Sequence, residues 1–180
     1  MSEPDYRTIG VAIGLPEPFH HELRERRAAA GDPQAAVVPP HVTLLPPTEV
    51  EVAALFEVEE HLCRVSAAHL PFELHLAGPG TFRPVSPVVF VQVSAGISQC
   101  ELIEADVRSG PLFRETNFPY HPHVTVAQNV PTAQLDAAYD GLSGFEARFG
   151  VSGFTMFEQD GGGNTWRRRR EFPLDGSREG

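Results

Sequence analysis

The tetrapeptide Pro-His-Val-Thr is written twice, at Pro40–Thr43 and at Pro122–Thr125, with the two histidines 82 positions apart. Apolar residues follow each copy, Leu44-Leu45 in the first and Val126-Ala127 in the second. Side chains alternate along a β-strand, so a His and a Thr two positions apart share one face, and the Val and Leu between and after them share the other. Each copy therefore reads as a strand with one apolar face and one face carrying an imidazole and a hydroxyl. A fold that contains both must bury two such strands on one side only. With eight His and nine Thr in the chain, a random sequence yields about 0.07 matches to His-apolar-Thr-apolar. Two matches are expected in roughly two such chains per thousand, so the pair reads as functional.

Flanking patterns extend this into a fold. Thr8–Leu15 is a short apolar, β-branched run closed by Pro16, a buried strand. Residues 18–30 read as a helix that starts at Pro18 and stops at Gly31. After the first motif, Thr48 and Glu51 have the spacing of a capping box, which places a helix, in one or two pieces, up to Ala68. Strands are expected at Phe72–Ala77 and Val88–Val93, separated by the Gly/Pro-rich loop GPGTFRPVSP, and helices at Ile97–Arg108 and Thr132–Leu142. Glu146–Glu158 reads as one strand, joined through QDGGGN to a last strand at Trp166–Leu174. The order β-α-β-α-β-β-α-β-α-β-β is an α+β pattern. Residues 1–174 are expected to form a single two-lobed domain, and 175–180 a flexible tail.

Composition limits the chemistry. All fourteen basic residues are Arg, and the net charge is −10. A chain without Lys has no lysyl-adenylate, no Schiff base and no Walker A lysine. An acidic surface repels long polyanions, so a nucleic-acid substrate should be short or met by a local basic patch. Cys63 and Cys100 are too few and too distant for a disulfide framework and read as reduced thiols. No apolar run reaches the length of a membrane helix, and the N-terminus lacks the pattern of a secretory signal. A cytoplasmic monomer is expected.

Two imidazoles and two hydroxyls facing one cleft suit in-line displacement at phosphorus. That reaction needs a base near the entering oxygen and an acid near the leaving one, and imidazole serves both roles near neutral pH. Thr hydroxyls can donate to the non-bridging oxygens, so no metal or cofactor is required.

The paired motifs, and YHPHVTVA (residues 120–127) in particular, resemble those of the 2H phosphoesterase superfamily, within it the LigT-type RNA 2′,5′-ligase / 2′,3′-cyclic phosphodiesterase group. The resemblance covers most of the chain. It implies two pseudo-symmetric α+β lobes whose antiparallel sheets form a central cleft. It also implies His41 and His123 as the catalytic pair and Thr43 and Thr125 as phosphate binders. The substrate it implies is a small cyclic-phosphate nucleotide or a short RNA end, opened without metal or, in reverse, ligated without ATP. Neither histidine is assigned to the acid or the base role by the sequence.

Other residues carry two readings each. His121, two before His123, could line the cleft rim, or form a His-x-His metal pair in a metal-dependent hydrolase; Tyr120 reads as a rim residue. Arg83 in its Gly/Pro-rich loop could contact phosphate or be an exposed loop arginine. WRRRREF (residues 166–172) could be a charged edge strand, or a basic funnel with Trp166 as a base-stacking platform. On regular alternation Trp166, Arg168, Arg170 and Phe172 would share a face. A protein that only binds phosphate in the same cleft is the competing functional class.

Overall fold

Ile9 to Ile13, all apolar but for Gly10, form the centre of a first sheet, because an uninterrupted apolar strand is stable only when covered on both faces. The computed structural model describes residues 3–161 and 165–177. It contains β1 (Tyr6–Gly14), α1 (Phe19–Ala29), β2 (His41–Glu51), α2 (Leu55–Ala67), β3 (Phe72–Thr81), β4 (Val88–Ala95), α3 (Ile97–Val107), β5 (His123–Gln128), α4 (Thr132–Gly141), β6 (Glu146–Val151), β7 (Gly153–Gln159) and β8 (Trp166–Pro173). Two antiparallel four-stranded sheets result, in the orders β2-β1-β7-β8 and β5-β4-β3-β6. The fold is the expected α+β pair of lobes.

The lobes are not the two halves of the sequence. The first sheet takes two of its four strands, β7 and β8, from the C-terminus, and the second is built from the middle of the chain. Helices cross over as well. α1 leaves the first sheet from β1 but packs on β5 of the second, where α4 also lies. α3 leaves the second sheet from β4 but packs on β2 of the first, beside α2. A pseudo-twofold therefore relates β1-α1-β2 to β4-α3-β5, and the crossed helices join both lobes through one continuous apolar core.

Four local expectations are corrected. Thr48 and Glu51 do not cap a helix: they continue β2, pairing with Ile9 and Tyr6 of β1, and Thr48 Oγ1 donates to the Pro46 carbonyl. The ladder to β1 outweighs the local capping signal, and α2 starts at Leu55 without a side-chain cap. Residues 146–158 are two strands in different sheets, broken at Ser152. The crossing needs Gly153, where a Cβ would lie 2.6 Å from the Phe172 carbonyl oxygen. Gly78–Thr81 belongs to β3 rather than to a loop. Finally, Trp166 and Phe172 face opposite ways. A β-bulge on β8, opposite Met156 and Phe157 of β7, leaves Arg169 as an extra residue, which reverses the alternation.

The chain end is docked where it is described: Gly176 N donates to the His69 carbonyl, and residues 178–180 of the expected tail lie outside the described residues. Among the described residues no helix is long and apolar enough to cross a membrane.

Gly80 of β3 shows how tightly the second sheet is packed under its motif strand. A Cβ there would lie 2.3 Å from the Phe90 ring, an overlap that only a shift of ring or backbone relieves. Gly80→Ala is expected to destabilise the protein by about 1–3 kcal/mol, the range for overpacking a filled core. Urea unfolding checks this; an unchanged midpoint would show that Phe90 yields freely.

Candidate active site

β2 and β5 are the edge strands of their sheets and lie against each other across the lobes. On β2, Val42 and Leu44 are buried while His41 and Thr43 are half-exposed; on β5, Val124 and Val126 are buried while His123 and Thr125 are half-exposed. The alternation thus puts both His-Thr pairs outside the core. The two strands touch, so both pairs lie at the seam between the lobes, and a positive charge on His41 lowers the pKa of His123.

Both rings are held in the same way. His41 Nδ1 lies 2.7 Å from the Pro39 carbonyl oxygen, and His123 Nδ1 lies 2.7 Å from the His121 carbonyl oxygen. A carbonyl can only accept, so each Nδ1 carries the hydrogen, and in the neutral ring Nε2 holds the lone pair. No protein group among the described residues bonds either Nε2. The repeated proline now has a reason. Proline restricts the residue before it to extended backbone, which aims that residue's carbonyl, and it offers no N–H of its own to compete. Pro40 and Pro122 each do this for the carbonyl two residues before a motif histidine.

Burial pushes both histidines below the ordinary imidazole range. For His41 the loss of water dominates, opposed by the bond to Pro39 and reinforced by the positive charge of Arg27. For His123 burial again dominates, opposed by the bond to His121, with His121 and His41 adding repulsion. Two neutral imidazoles are the resting state at neutral pH.

Their surroundings differ. His41 and Thr43 line a cleft of about 210 Å³ whose far wall is Gly10, Leu45, Pro46, Pro47, Phe157 and Trp166. The indole of Trp166 lies over Gly10 of β1, where a Cβ would be in ordinary contact with the ring at 3.6 Å. His123 instead stands among rings. Its centroid is 4.9 Å from Phe82, edge-on, 5.0 Å from Phe90 and 6.1 Å from His121. Tyr120 spans the lobes, donating its hydroxyl to the Thr43 carbonyl oxygen at 2.7 Å. Burial raises its pKa, so it stays a donor.

The profile of the 2'-5' RNA ligase superfamily matches residues 15–163. The chain belongs to that superfamily. Two crystal structures with the same fold are E. coli LigT complexed with 3'-AMP and a protein of Thermus thermophilus. LigT has TM-score 0.63 and 19% identity, over 94% of this chain and 99% of LigT. The Thermus protein has TM-score 0.65 and 22% identity, over 95% of this chain and all of that one. A curated relative from Bacillus thuringiensis, named "Putative phosphoesterase", is 30% identical over 103 residues, 57% of this chain. One from Bacillus cytotoxicus with the same description is 31% identical over 103 residues. The matched stretch spans 59% of the length of these relatives.

Within this superfamily member the remaining candidates fall as follows. Trp166 lines the cleft beside His41. His121 is exposed and gives its carbonyl to His123. Among the described residues no three His, Cys, Asp or Glu side chains converge as metal ligands. The Arg83 guanidinium is engaged by Asp136 at 2.7 Å and by Thr81 at 3.1 Å. Of the arginine run, Arg167 and Arg169 reach buried Glu158, Arg169 and Arg170 reach Glu59, and Arg168 pairs with Glu171, all on an edge strand. Sequence reasoning missed Phe157, Phe82 and Phe90. Only Phe90, in an apolar strand, had a pattern that placed it on a sheet face, and nothing local told which face met the cleft.

Proposed function

We propose that the protein opens 2′,3′-cyclic phosphates of RNA ends or small nucleotides, with His41 and His123 as acid and base and Thr43 and Thr125 as phosphate ligands. The observation that carries this is the matched Nδ1–H bond on two histidines in one site, which leaves two Nε2 atoms free for proton transfer. LigT, a structural neighbour, has been crystallised with 3'-AMP. In the forward step water forms a bond to phosphorus while the bond to one ribose oxygen breaks. One Nε2 takes the water proton and the other gives a proton to the leaving oxygen, and the product is a ribose phosphomonoester. When the hydroxyl of a second RNA end replaces water in the same step, the product is a joined strand; run backwards, that step cleaves the linkage and restores the cyclic phosphate. The cleft with Trp166 and Phe157 opens on the His41 side, which suits a nucleoside stacked there. That puts the ribose oxygen nearest His41, the acid, and water nearest His123, the base.

Turnover of nucleoside 2′,3′-cyclic phosphates in EDTA, followed by phosphorus NMR, tests this reading. No turnover at any pH, with phosphate still raising the melting temperature, identifies a binder; activity lost in EDTA and restored by a divalent ion identifies a metal enzyme.

The pH dependence has a definite sign. kcat/KM reports the free enzyme, in which burial lowers both imidazoles. The base is then free at lower pH, and the acid loses its proton at lower pH. Both limbs of the bell shift down together, as a coupled pair, and the optimum of kcat/KM falls below about 6.5, the unperturbed value. A bound phosphate anion favours imidazolium, so the kcat optimum lies higher than that of kcat/KM. An optimum of kcat/KM above about 7.5, a full unit beyond the unperturbed imidazole, contradicts this.

A further inference from the structure

An acid and a base that act on one phosphate must be held at a set separation, and small displacements of either are costly. The strands that carry them, β2 and β5, share no ladder. Apolar packing between the lobes is non-directional, whereas a hydrogen bond allows only a narrow range of length and angle. One such bond crosses the seam at the level of the motifs. The Tyr120 hydroxyl donates to the Thr43 carbonyl oxygen at 2.7 Å, across 77 positions of sequence. Among the described residues it is the one side-chain hydrogen bond that ties a residue of either His-Val-Thr motif to a distant part of the chain.

Both ends of this bond belong to motif segments. Thr43 lines the cleft beside His41. Tyr120 opens the run Tyr120-His121-Pro122-His123, in which the His121 carbonyl accepts the Nδ1 hydrogen of His123 at 2.7 Å. The run is stiff. Pro119 and Pro122 fix their own φ, and Pro122 also holds His121 extended. A tether on Tyr120 is therefore passed to His123 with little slack. The Tyr120 ring packs on the core, and burial raises the pKa of its hydroxyl, so the donor persists at every working pH.

Resting on the cyclic-phosphodiesterase reading, we propose that Tyr120 is a positioning residue: its bond to Thr43 sets the gap between His41 and His123, so that both Nε2 atoms reach one phosphate. Its hydroxyl is spent on a backbone carbonyl, and Tyr120 is not among the residues that line the cleft with His41 and Thr43. It touches neither substrate nor reacting atom. Without the bond the lobes keep their fold and the two histidines lose their spacing.

Tyr120→Phe removes the hydroxyl and keeps the ring. On a nucleoside 2′,3′-cyclic phosphate kcat should fall by about 10–10²-fold, the scale of a misplacement of about 1 Å. KM should change by less than about 3-fold, because the lost interaction is not one made with bound substrate. The melting temperature should move by a few degrees at most, since one hydrogen bond adds little to net stability. The histidines give a second readout, by NMR titration of their ring protons. Burial lowers both pKa values, with Arg27 repelling a proton on His41, and His121 and His41 repelling one on His123. A wider gap admits water and weakens the repulsion between His41 and His123, so both imidazoles should titrate at higher pH in Tyr120→Phe. A merely structural tyrosine would lower the melting temperature and leave kcat and both titrations unchanged, which overturns the proposal. A rise in KM at unchanged kcat makes Tyr120 a substrate contact and overturns it equally. If the wild-type protein opens no cyclic phosphate, the catalytic reading fails separately and the titrations decide: an upward move of both histidines supports the tether, and unchanged titrations overturn it.

Discussion

His41→Ala and His123→Ala should each lower kcat on a 2′,3′-cyclic phosphate by about 10²–10⁴-fold, the range for loss of a positioned acid or base. The double variant should lose little beyond the worse single one, because proton removal and proton donation occur in one displacement and groups that act as a unit do not add. Both variants should fold. Each ring is half-exposed on an edge strand and gives up one bond to a neighbouring carbonyl, so the melting temperature should move by a few degrees at most. Thr43→Ala and Thr125→Ala should be milder, about 10–10³-fold, the scale of one lost donor to a developing charge. Wild-type kcat in either His→Ala variant on the best substrate would remove that histidine from the mechanism. Equal, small losses in all four would instead describe a site that holds phosphate without transferring protons.

The motif strands were legible because a strand has a two-residue period and the fold buries one face. Val42, Leu44, Val124 and Val126 went inward as alternation required. Their meeting was not legible, because β2 and β5 are joined by no ladder; they approach through the crossed packing of α1 and α3. The wall of the cleft was legible only in part. Trp166 stood out as the single tryptophan in a basic run, but Phe157 comes from a strand that sequence merged with its predecessor. The break at Ser152 goes with a close approach of the Gly153 and Phe172 backbones that leaves no room for a Cβ, a contact between residues distant in sequence. Thr48 and Glu51 misled for a related reason: a capping box is a local preference of about 1 kcal/mol, and a strand partner outweighs it. The arginine run changed meaning once Glu158 and Glu59 were placed beside it.

Asp32→Ala should destabilise the protein by about 3–5 kcal/mol, because it leaves a buried guanidinium without its counter-charge. The Asp32 and Arg27 side chains are 1% and 8% exposed, with Arg27 Nε 2.8 Å from Asp32 Oδ2. The same carboxylate accepts the Gln128 N–H at 3.0 Å and the Gln34 N–H at 2.9 Å. It thus fastens the end of α1 to the turn that leads into β2 and to the last residue of β5, bracing both motif strands from one point. Natural domains are held by about 5–15 kcal/mol in total, so the loss is a large share. At about 2–4 °C per kcal/mol for a chain of this size, the melting temperature should fall by about 10 °C. Replacing both partners, Arg27→Met with Asp32→Leu, should recover much of it, since neither a charge nor a paired carboxylate remains to be buried. Asp32→Asn keeps most hydrogen bonds but leaves Arg27 unneutralised. The positive charge of Arg27 already lowers the His41 pKa; without Asp32 it does so more strongly, and the kcat/KM optimum should move further to the acid side. A change in unfolding free energy below about 1 kcal/mol for Asp32→Ala, the usual size of a surface ion pair, would show that the pair is not what fixes the two strands.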